Sequence, residues 1–148
     1  MCDVDIDITQ RRPPRLGVAL RDRVLWDGDA AVERIRGVDL SDIARKSAQL
    51  RRDHSGVDVV ADIDVVIATE ARAARAMLDA GETCDRTLLY VGTPSGLASL
   101  ITDMHALGIA DGAVLIPRTA AVADLIRDAV LPILHTRLQL PTREAYSA

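Results

Sequence analysis

Residues 90–135 read YVGTPSGLASLITDMHALGIADGAVLIPRTAAVADLIRDAVLPILH, and this stretch sets the expected fold as helix, buried strand, helix. Thr93 before Pro94 is a helix start, since a hydroxyl caps the first turn and proline suits the first helical position. Leu97, Leu100, Ile101, Met104 and Leu107 then recur at three-and-four spacing along one face, and Gly108 closes the helix. Gly112–Ile116 is a short apolar run between Asp111 and Pro117, the pattern of a strand buried on both faces of a parallel sheet. A second helix follows with Val122, Leu125, Ile126, Ala129, Val130, Ile133 and Leu134 on one stripe. Such a stripe is buried only against a sheet, so the chain is expected to be parallel α/β. Pro132 lacks the backbone donor that the helix interior needs, and a kink is expected there.

Working upstream, Thr69 is the expected cap of an alanine-rich helix over 70–80, ended by Gly81. Val57–Ala68 (VDVVADIDVVIA) is the strongest strand signal in the chain. Leu40–Asp53 reads as a helix capped by Asp39 or Ser41, with Leu40, Ile43, Ala44, Ser47 and Leu50 on its inner side. Leu16–Leu20 is a shorter strand candidate, Val24–Trp26 extends or follows it, and Asp27-Gly28-Asp29 is a turn. The expected organisation is an arm over 1–14, one domain over 15–138 and a tail over 139–148.

Composition narrows the class. A chain of 148 residues with 49% hydrophobic and 27% charged residues is expected to fold as one domain. Aromatics make up 2% and phenylalanine is absent, so Val, Leu, Ile and Ala must build the core. The net charge of −4 and the scattering of arginines among acids give no nucleic-acid footprint. Cys2 and Cys84 are too few for a metal motif or a disulfide framework, the N-terminus lacks a basic and apolar signal region, and no apolar run reaches a membrane span. Together these lead to the expectation of a cytoplasmic protein.

The run GTPSGLASLITDMHALGIADGAVLIP, followed by DLIRDAVLPIL, resembles the C-terminal segment of the luciferase-like flavin-dependent monooxygenases. In that family a G-T-P helix start leads to an A-G-x-D-G-F strand and a last helix with V-x-P-x-L. Upstream, DLSDIARKSAQLRRDHSGVDVVADIDVVIATEARAARAMLDAG is similar to the family's L-R helix end, V-V-V-A strand and T-E-A-E-A-R helix. The likeness covers about residues 39 to 138, with Leu16–Leu20 a weaker candidate for the preceding barrel strand. Ala113 stands where the family has phenylalanine, and Ser95-Gly96 where it commonly has an acidic pair.

The resemblance implies the C-terminal βα units of a (β/α)8 TIM barrel, a fold of about 250 residues when complete. A partial barrel leaves unpaired strand edges and an uncovered inner wall. Three arrangements answer this: a homo-oligomer, a separately encoded partial barrel as partner, or repacking into a small open α/β sandwich. The first is favoured here, because the runs at Val57–Ala68 and Gly112–Ile116 carry few polar positions.

Candidate site residues are sparse. Gly92, Thr93 and Ser95 open a helix whose free N–H groups suit an anion such as a flavin phosphate, although a simple cap is the favoured reading, since a phosphate loop usually brings more glycines or a lysine. Arg118 follows a strand, at the end of a barrel where active sites lie, and either binds an anionic group or pairs with Asp124 or another acid. Asp111 precedes the same strand and belongs to the opposite end. His54, His105 and His135 are separated and give no metal spacing, Trp26 reads as a core or interface residue, and Cys84 has no adjacent base. No catalytic residue is assigned.

The resemblance implies an oxidoreductase or oxidoreductase subunit, a monooxygenase using FMN or a deazaflavin with oxygen and a small organic substrate. The alternative is a non-catalytic accessory or interaction module of that family without bound flavin. A third reading is a small-molecule or regulatory binding domain with an unrelated ligand.

Overall fold

The ten-residue strand β4 (Asp58–Ile67) is the axis of the molecule, and its β-branched run explains both its length and its position. The computed structural model describes residues 14–20, 23–26, 32–54, 56–78 and 87–138. Five other strands join β4: β1 (Arg15–Leu20), β2 (Arg23–Trp26), β3 (Val32–Ile35), β5 (Leu88–Gly92) and β6 (Gly112–Pro117). The order is β2-β1-β6-β4-β3, with β5 also pairing β4. Only β1 and β2 are antiparallel; every other pairing is parallel.

One edge of β4 takes β6 along residues 60–65. The other edge is shared in series, with β3 on residues 58–61 and β5 on residues 63–67. The result is a mixed α/β protein with a curled, half-barrel sheet. A closed eight-stranded ring is not formed by the described strands.

The helices are α1 (Leu40–Asp53), α2 (Ala71–Ala76), α3 (Pro94–Ala106), α4 (Ala120–Leu125) and α5 (Leu131–Leu138), with one π turn at Ile126–Val130 joining the last two. Ile43, Leu97, Ile101, Met104, Val122, Ile126 and Leu134 from these helices share one core with Leu16, Ala61, Ile63, Val65, Ile67 and Leu115 from the strands. The β4 members of that core are all odd-numbered, as strand alternation requires. Its even-numbered residues therefore face the other, concave side. No described helix is long and apolar enough to cross a membrane.

Most expected boundaries lie within a residue or two of those observed, and Asp39, not Ser41, caps α1 by accepting from the Asp42 N–H. Of the two readings of Val24–Trp26, the segment follows β1 and turns back beside it, and Trp26 packs where a Cβ on Gly17 would lie 3.0 Å from its ring. One expectation needs correction. Thr69 is not the cap of α2: Glu70 occupies that position without a side-chain bond, and the helix ends at Ala76 with only Ala74 buried. A helix that buries so little apolar surface has little to extend it. Pro132 lies just after the π turn at Ile126–Val130, a local departure from the regular helix at the place where the proline is expected to disturb it.

Two strands, β3 and β5, do not figure in the sequence expectations. The expected arm and tail, apart from Pro14, lie outside the described residues, as do Cys2, Cys84 and the turn at 27–29.

Candidate functional site

The concave side of the sheet carries charge. Asp58, Asp62 and Asp64 are even-numbered residues of β4, and each meets an arginine. Arg15 Nη1 donates to Asp58 at 2.8 Å. Arg34 grips Asp62 with two bonds, at 2.9 Å from Nε and 3.1 Å from Nη2, and Arg36 adds a third at 3.2 Å. Asp62 is only 1% exposed, and these three donors meet the hydrogen-bonding needs of its buried oxygens. Between the acids, Val60 and Val114 are fully buried.

The polar positions of the Val57–Ala68 run thus fall on its concave face, where they are paired and largely buried. Asp58, Asp62 and Asp64 share one parity, so the alternation of DVVADIDVVI was sufficient to place them together. Their arginine partners were harder to see, because Arg34 and Arg36 come from about 26 to 28 residues upstream.

Asp64 and Arg118 stand near the carboxyl ends of β4 and β6. Their nearest atoms are 3.7 Å apart, an ion pair longer than a direct hydrogen bond. Arg118 thus has Asp64 as an acid partner, within the expectation of a pair with Asp124 or another acid. Burial pushes the Asp64 carboxyl above its ordinary value of 3.8; the Arg118 charge opposes that rise, and neighbouring Asp62 adds to it. A carboxyl raised in this way binds its proton more readily in the folded chain. The stability it contributes is present below the unfolded value and is lost as pH rises through the folded one. Asp64→Asn removes that loss. In thermal melts at about pH 4 and neutral pH, the variant should show a smaller fall in stability between the two than the parent. An unchanged or larger fall means that the arginine outweighs burial.

Beside Arg118 lies an open cleft of about 820 Å³ at the ends of β1 and β6. Leu20, Arg23, Pro117, Arg118, Ala123 and Arg127 are among the residues that line it. Thr119 caps α4 by accepting from the Val122 N–H at 3.2 Å.

The turn at 92–96 also lies at the carboxyl end of the sheet, on the far side of β4 from Arg118. Two strand spacings, about 10 Å, separate the two places. Thr93 Oγ1 accepts from the Gly96 N–H at 3.2 Å, and its carbonyl accepts from the Leu97 N–H at 3.0 Å. The Tyr90 hydroxyl sits against Gly92 and Gly96, in space a side chain on either would fill. The chain's own cap and phenol thus take up the start of α3, and Ser95 is exposed. Gly92, Thr93 and Ser95 thus stand about two strand spacings from Arg118, at the same end of the sheet.

Asp111 lies at the opposite end as expected, accepting from the Val59 N–H at 2.8 Å and facing Arg51 at 3.1 Å. His54 is the C-cap of α1, His105 is half-buried in α3 and His135 half-buried in α5. Among the described residues no group of three or more His, Cys, Asp or Glu is placed to hold a metal.

No family model and no curated protein sequence matches the chain. Solved structures do. EDTA monooxygenase (EmoA) from Chelativorans sp. BNC1 is similar with a TM-score of 0.59 and 16% identity, over 75% of this chain and 41% of that one. Long-chain alkane monooxygenase (LadA) is similar with a TM-score of 0.53 and 16% identity, over 73% of this chain and 38% of that one. At such identity the likeness is one of fold. The chain spans about two fifths of the length of these monooxygenases.

Proposed function

We propose that the chain is part of a flavin-dependent oxidoreductase of the luciferase-like kind, either a subunit or a half that works in an assembly. The observation that carries the reading is the joint one of fold and sequence: a half-barrel like those of two monooxygenases, built from segments whose G-T-P, D-G and V-x-P-x-L signals resemble that family. Bound flavin, FMN or a deazaflavin, would supply the redox chemistry.

The chain's own residues fit such a group in part. Arg118 and its cleft suit an anionic portion of the cofactor, whereas the 92–96 turn, already occupied by Thr93 and Tyr90, does not. Asp64 holds Arg118 at the carboxyl end of the strands, where barrel enzymes place their chemistry. A partner is part of the proposal: a second copy, or a separately encoded partial barrel, would supply the remaining strands. Among the described strands, the sheet ends in β2 on one side and in β3 and β5 on the other.

The test is a titration of the purified chain with oxidised FMN, followed by flavin absorbance and fluorescence, together with its mass in solution with and without FMN. Saturable flavin binding by an oligomer supports the reading. A monomer that leaves the flavin spectrum unchanged favours the accessory module, which keeps the packing and lacks the cofactor.

A further inference from the structure

We propose that β2 is a built-in edge cap, latched by Trp26 over Gly17, that keeps β1 from pairing with the β1 strand of a second copy of this chain. The inference goes beyond the oxidoreductase reading and does not depend on flavin. It concerns which border of the half-barrel is open to further strands.

A strand has two hydrogen-bonding edges, and β1 has both in use. β6 takes one of them, in parallel, along Arg15–Val18. β2 takes the other, antiparallel, from the Gly17 and Trp26 pair to the Leu20 and Arg23 pair. A ring of the (β/α)8 kind is closed by parallel strands, so the place beside β1 is where its next strand would lie. A strand folded back from the same chain holds that place instead. The edge of β1 needs a cover, because Leu16-Gly-Val-Ala-Leu20 holds no charge and no proline, and such an edge is a template for another chain. β2 is a poorer template, being four residues long and opening on the exposed Arg23.

Leu16 and Val18 belong to the core, so Gly17 between them faces the concave side. Its partner Trp26 crosses that face: a Cβ on Gly17 would stand 3.0 Å from two atoms of the indole and 2.9 Å from Val24 Cγ1. The indole rests on the glycine, and a residue without a side chain leaves it this seat. Val24, Leu25 and Trp26 are all half-buried. A strand so short is held by side-chain packing as much as by its backbone pairs, and Trp26 on Gly17 is the largest such contact it makes with β1.

Trp26 is the sole tryptophan of the chain, so its fluorescence reports the latch. In the parent it should emit to the blue of the same chain in urea, at every concentration and whatever the mass in solution. Gly17→Val fills the seat with a residue that suits a strand, and the atoms it meets belong to the side chains of Val24 and Trp26. Its emission should move to the red. Its mass by light scattering should rise to about twice that of the parent at equal concentration, as two uncapped β1 edges pair about a twofold axis. Trp26→Ser should show the same rise, and both variants should keep the parent's circular dichroism.

Parent emission that matches the chain in urea overturns the latch. A parent-like mass in folded Trp26→Ser, or in folded Gly17→Val with shifted emission, overturns the edge cap. Where neither variant folds, dilution of the parent decides: emission that reddens as the chain associates means that β2 leaves β1 during assembly and overturns the cap, whereas constant emission supports it. Flavin binding enters none of these measurements, so a failure here leaves the oxidoreductase reading as it stands.

Discussion

Gly112→Ala is expected to destabilise the protein by about 3 kcal/mol or more, at the upper end of what overpacking costs. Gly112 pairs with Arg15 where β1 and β6 begin. A Cβ there would stand 2.6 Å from the backbone carbon and nitrogen of Arg15, and closer still to its carbonyl oxygen. Backbone atoms have no rotamer by which to move aside. The two strands must separate, and the bond from the Arg15 N–H to the Asp111 carbonyl, 2.9 Å, goes with them. So does the Arg15 grip on Asp58. Urea titration of parent and variant reads the effect directly as a shift in midpoint. A loss below about 1 kcal/mol would mean that β1 is not held against β6 in this register.

Ile63→Ala is the second large effect, at about 3 to 4 kcal/mol. Ile63 is fully buried at the middle of β4, where it pairs with Leu88 of β5 and Leu115 of β6 and faces the helices. The substitution removes three carbons, worth about 0.8 kcal/mol each in transfer, and leaves a cavity between sheet and helices that neither layer can fully close. Ile63→Val in the same titration should lose only about 1 kcal/mol. Similar losses for the two would place Ile63 outside the packed layer.

Much of this architecture is legible in the sequence because its signals are local. Asp39 before α1, Thr93-Pro94 before α3 and Gly108 after it fix boundaries through neighbours a few residues away, and the structure has each in place. The strand at 58–67 is evident from its β-branched run. What escaped was non-local. Val32–Ile35 is four residues long and exposed at Glu33 and Arg34, so nothing in its own composition marks it; only its partner β4 makes it a strand. Leu88–Gly92 had an apolar signal of its own, overshadowed by the helix start that follows.

The site was less legible than the fold. Arg118 was singled out from its position after a strand, and it does line the cleft. Arg23 and Arg127 reach the same place from segments about 95 residues before and about 9 residues after it, and such convergence is a property of folding rather than of any motif. The glycines at 92 and 96 suggested an anion loop. Their role in the structure is to make room for the Tyr90 phenol, a contact that spacing alone does not reveal.

The placing of Asp58, Asp62 and Asp64 on alternate positions of β4 has a bearing on how the chain finds its alignment. Were β4 to slide by a single residue against its neighbours, all three acids would turn toward the helices and Ile63, Val65 and Ile67 toward the arginines. Each acid would then enter an oily layer with no guanidinium in reach, at a cost of several kcal/mol per charge. The aspartates thus work as teeth of a ratchet, admitting one frame of strand pairing and penalising the next.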